Sequence, residues 1–66
     1  SNISTPLLSK YNEYERDILC ILHENLPSTP ITSADLSVQL RKNLCADVIH
    51  SDVKIILEKL AAQDVI

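Results

Sequence analysis

No glycine occurs anywhere in the 66 residues, and that absence narrows what the chain can build more than any residue it contains. Glycine is the default residue where a backbone must turn through φ > 0 or lie close against a phosphate. Turns of that kind must be made here with other residues, and Gly-rich nucleotide loops are excluded. The punctuation that remains comes from three prolines and from polar capping side chains.

Between these breaks the apolar residues recur at helical spacing. Tyr11, Tyr14, Ile18, Ile21 and Leu22 form one stripe of a first helix expected over residues 9–26, capped by Ser9 or Asn12. Glu13, Asp17, Cys20 and Glu24 fall on its other face. Pro27 ends the helix, and PSTP at 27–30 is a turn, since each proline biases its predecessor away from helix. STP occurs at 4–6 as well, and both copies read as turn chemistry rather than phosphorylation sites.

Ile31 is a single extended residue before Thr32, whose TSAD has the form of a capping box. The second helix then carries Leu36, Leu40 and Leu44 at intervals of four. CADVIH at 45–50 connects onward, or Asp47 caps a longer third helix. That third helix buries Val53, Ile56, Leu57 and Leu60, with Ile49 in register if it starts early, and ends near Gln63. Val65 and Ile66 leave the helical period and read as the start of a strand.

Three amphipathic helices with short links predict an all-α or mostly α fold. The expected form is a three-helix bundle of winged-helix or helix-turn-helix type, with the wing truncated or absent. An apolar share of 45% supports one core, which must be aliphatic because only Tyr11 and Tyr14 are aromatic. Residues 1–8 read as a lead-in whose Ser1-Asn2 resembles a tag remnant, and residues 9–66 as one domain of a larger protein. The longest apolar run is ILCIL at 18–22, too short to span a membrane. No signal peptide is visible at the start. The two cysteines then read as free thiols in a reducing compartment, either nucleus or cytoplasm.

YERDILCILHENL, ITSADLSVQL and SDVKIILEKLAAQDVI, taken together, resemble the winged-helix superfamily over about residues 11–66. There, helix, short strand and two further helices precede a two-stranded wing. ERDILCILHENL with TSADLSVQL is similar to Zα domains, and VIHSDVKIILEKLAAQDVI to the C-terminal winged helices of cullins and of the middle subunit of replication protein A. Zα domains place Asn and Tyr where this chain has Lys54 and Glu58. Cullins place a modified lysine late in the first helix, where this chain has Cys20 and His23. The resemblance therefore implies a fold and no particular ligand.

The outward face of the third helix carries the functional question. With Val53 and Leu57 inward, the opposite side holds Ser51, Ile55, Glu58, Lys59 and Ala62, together with Val48 if the helix begins early. An isoleucine there, near Ala62, favours contact with a partner protein or another domain, and self-association through the same spots is the weaker variant. A lone exposed isoleucine, or one covered by a wing, is the ordinary alternative. A nucleic-acid reading would rest on Lys54, Lys59 and the adjacent Arg41-Lys42, with Asp52 at the helix start repelling phosphate. Nine acidic and six basic residues, interspersed to a net charge of −3, argue against that reading.

Cys20, His23, Cys45 and His50 together have the count of a Cys₂His₂ zinc set. Their spacing departs from usual zinc loops, so no metal or other cofactor is expected. Cys20 and His23 lie one turn apart without a third group to orient the histidine, so no catalytic residue is expected either. A short helical chain without a second layer to form a pocket is expected to be non-enzymatic.

Overall fold

Local capping chemistry sets where each helix begins. The computed structural model describes residues 10–25 and 31–66, and in it the chain forms helices α1 (Glu13–Glu24), α2 (Ser33–Leu44) and α3 (His50–Ala62). No strand occurs among the described residues. The lead-in with Ile3, Leu7 and Leu8, and the turn at 27–30, lie outside them. For α1 the cap is Asn12 rather than Ser9. Its side chain accepts from the Glu15 N–H at 2.9 Å, and the Glu15 carboxylate accepts from the Asn12 N–H at 2.9 Å. Tyr11 therefore precedes the helix instead of opening its stripe, although it still packs against the core.

Thr32 and Asp35 close the same reciprocal box at α2, as their spacing predicts. At α3 only half a box forms, because Ile49 stands at the cap and has no side-chain acceptor. Asp52 alone accepts there, from the Ile49 N–H at 3.2 Å. Asp47 does not cap this helix. Residues 45–49 are irregular connection, and the helix does not extend back to Val48.

The missing glycines show their cost at the helix ends. Cys45 closes α2 in the left-handed region at φ 52°, and Asp64 follows α3 at φ 62°. Around Asp64 the chain completes a Schellman motif. The Asp64 N–H donates to Ala61 O and the Val65 N–H donates to Leu60 O, both at 3.0 Å. Val65 thus finishes a helix cap where the sequence pattern suggests a strand, because its N–H is already committed. Replacing Cys45 with glycine is expected to stabilise the domain by about 0.5–1 kcal/mol. Relief of roughly 1–2 kcal/mol of left-handed strain outweighs the freedom glycine adds to the unfolded chain. Urea denaturation checks this, with Cys45→Ala as the comparison expected to show no gain.

The core is aliphatic, made of Ile18, Ile21, Leu36, Leu40, Val48, Val53 and Leu60. Leu36 and Leu40 of the predicted spacing are fully buried and Leu44 is half-buried, so α2 turns its leucine stripe inward. This helix packs against both α1 and α3, whereas α1 and α3 approach one another less. The bundle is therefore ordered around α2. Val53 and Leu60 are buried and Ile56 and Leu57 half-buried, as the third stripe requires. The connector departs from expectation: Val48 is 7% exposed, while Ile49 is 53% exposed at the helix cap. Ile49 has extended backbone, at φ −110° and ψ 167°, where neighbouring side chains point to opposite sides, so burying Val48 turns Ile49 outward.

Candidate functional site

The flank of α3 that turns toward α1 is organised by one ion pair. Glu15, only 3% exposed, receives the Lys59 Nζ at 2.6 Å, and the lysine side chain remains 55% exposed. The same carboxylate serves the α1 capping box through its other oxygen. The Lys59 ammonium and the Asn12 N–H hold the Glu15 carboxyl below the usual carboxylate range, against the opposing effect of burial. A buried acid with both oxygens occupied costs the fold little, because its charge is met from two sides.

That pair changes the account of the basic residues. Lys59 is paired with Glu15, although more than half of its side chain stays exposed. Arg41 donates to the Val48 carbonyl at 2.7 Å, tying the end of α2 to the connector, and Arg16 donates to the Tyr11 carbonyl at 2.6 Å. Lys42 and Lys54 are exposed and make no hydrogen bond or ion pair among the described residues. Half of the four residues expected to meet a phosphate backbone are therefore engaged within the fold.

The residues expected to meet a partner divide as well. Ser51, Ile55, Glu58, Lys59 and Ala62 are exposed on α3, and Ile55 stands out at 65%. Val48 is not on that outer face. It is held in the core by the connector and contributes only a wall to an adjoining groove. This groove, about 370 Å³ and open along one side, lies between the start of α1 and the first turns of α3. Tyr14, Val48, Ile55 and Ile56 line it with apolar surface, and Asp47 and Asp52 add two carboxylates.

Periodicity alone missed Tyr14, Ile56, Asp47 and Asp52 as members of a shared site. Tyr14 and Ile56 fit the core stripes, and both sit at the stripe edge, half-buried. A tyrosine at such an edge is the available signal, since its ring suits burial and its hydroxyl suits water.

The other chemistries find less support in the geometry. Cys20, His23, Cys45 and His50 are all exposed, both cysteines are free thiols, and no group of three or more His, Cys, Asp or Glu among the described residues is placed to hold a metal. No described helix is long and apolar enough to cross a membrane. Set beside known proteins, the chain matches no family model, no curated protein and no solved structure.

Proposed function

We propose that this chain is a non-catalytic interaction module of winged-helix type, part of a larger intracellular protein. It holds a partner protein, or another domain of its own polypeptide, on the solvent side of α3. The observation that carries this reading is Ile55, a large apolar side chain 65% exposed beside an apolar groove. A β-branched residue left in water over a concave apolar surface gains most when a second surface covers both. The nucleic-acid alternative is weaker, because Lys59 and Arg41 are each engaged with a group of the fold and Asp52 stands at the start of α3.

Two measurements test the proposal together. A photoreactive amino acid in place of Ile55 should cross-link one protein species, whereas the same group at Glu24, exposed on α1, should not. Ile55→Asp should abolish capture of that species and leave the helical circular dichroism unchanged. Capture should weaken only modestly as salt rises, as screening of one or two exposed charge pairs does. A retarded duplex or single-stranded probe whose binding falls steeply as salt rises would instead identify a polyanion ligand and overturn the proposal.

A further inference from the structure

We infer that the groove between α1 and α3 receives a segment of a partner protein carrying an apolar side chain flanked by lysine or arginine. The inference rests on the docking reading above and adds the chemistry of the partner. Tyr14, Val48, Ile55 and Ile56 give a surface that an aliphatic or aromatic side chain can enter. A volume of about 370 Å³ is at the low end of the roughly 300–1,000 Å³ of small-molecule sites, and this groove is open, which suits one or two side chains of a peptide.

Charge selects among occupants. Both carboxylates lining the groove, Asp47 and Asp52, are exposed, and they are the charged groups of its lining. Asp52 uses Oδ2 on the Ile49 N–H and keeps its second oxygen for another donor. Asp47 makes no hydrogen bond among the described residues. No lysine or arginine lines the groove, so a cation entering it meets two carboxylates and no competing cation of the lining. A nucleic acid would bring phosphates against those acids. A second copy of this chain would bring another net charge of −3 toward the same rim. A segment with positive charge beside its apolar anchor is the occupant that satisfies both the floor and the rim.

The test uses three short synthetic peptides of one length: one with a leucine anchor flanked by lysines, one with glutamates replacing the lysines, and one with serine replacing the anchor. Each is titrated into the ¹⁵N-labelled 66-residue chain. The lysine–leucine peptide should move the amide signals of Tyr14, Asp47, Val48, Asp52, Ile55 and Ile56, and the other two should not. Asp47→Lys, on an exposed connector, should weaken that binding about fivefold, and Asp47→Asn somewhat less. Ile55→Asp should abolish it. Equal binding of the glutamate peptide, still lost in Ile55→Asp, would overturn the charge inference while leaving the docking surface intact. Equal binding of the anchorless peptide, shifts mapping elsewhere, or no shifts with any peptide would overturn the inference. The cross-link at position 55 then decides separately whether the docking reading stands.

Discussion

Truncating Leu40 to alanine is expected to cost roughly 3–4 kcal/mol and leave much of the chain unfolded. A domain of this length has only about 3–10 kcal/mol to lose. Leu40 has no exposed surface, and it lies on the one helix that packs against both others. A cavity there cannot close by shifting a single neighbour, because α1 and α3 are each already seated on α2. Val38→Ala, on the exposed side of the same helix, changes helix propensity without leaving a cavity and should stay within about 0.5 kcal/mol of the parent. Urea titrations followed by far-ultraviolet circular dichroism compare the two directly. Equal midpoints would mean that α2 does not occupy the centre of the bundle.

Removing Lys59 should destabilise the fold by about 2 kcal/mol, more than neutralising Glu15 does. Lys59→Met leaves a buried carboxylate with one of its two partners gone. Glu15→Gln keeps an acceptor for the Asn12 N–H and leaves an ammonium that is free to hydrate, at a cost of about 1 kcal/mol. The double variant should recover part of the Lys59→Met loss, since it no longer buries an unpaired charge. A double-mutant cycle giving no coupling would show that the pair contributes nothing to the junction of α1 and α3.

The same carboxylate predicts how stability depends on pH. Its folded-state pKa is lowered, chiefly by the Lys59 hydrogen bond and then by the Asn12 N–H. Folding is therefore favoured by the ionised form. This contribution is fully present above the pKa of an ordinary glutamate and is lost as pH falls through the lower folded-state value. The denaturation midpoint should fall with acidification below about pH 4–5, and the fall should be shallower in Glu15→Gln. Matching slopes in the two proteins would rule out Glu15 as a source of the acid sensitivity.

Much of the fold is legible before any coordinates. TSAD locates the start of α2 because a capping box is a contact between residues three apart, whereas the start of α1 stays open between Ser9 and Asn12 until the structure assigns the cap to Asn12. Leu36, Leu40 and Leu44 reveal the inward side of α2 because one turn of helix repeats almost every four residues. Ile55 is likewise placed correctly in water from the positions of Val53 and Leu57. Less of the site is legible. Val48 and Ile49 exchange their expected environments, since the connector is not helical and a helical register does not apply to it. Lys59 lies toward the outer side of a helical wheel, yet its long flexible stem lets the ammonium fold over the flank of α3 and reach an acid on α1.

The amino-acid order by itself settled what depends on neighbours a few residues apart: three amphipathic helices, the reciprocal cap of TSAD, an aliphatic core, and turns left to residues other than glycine. The packing of one helix on another decided the rest. It set Glu15 against Lys59, 44 positions later in the chain, took two cations out of circulation, and brought Tyr14 beside Asp47, Asp52 and Ile55. Those encounters depend on how whole elements seat against each other, and side-chain spacing within one element carries no record of that arrangement.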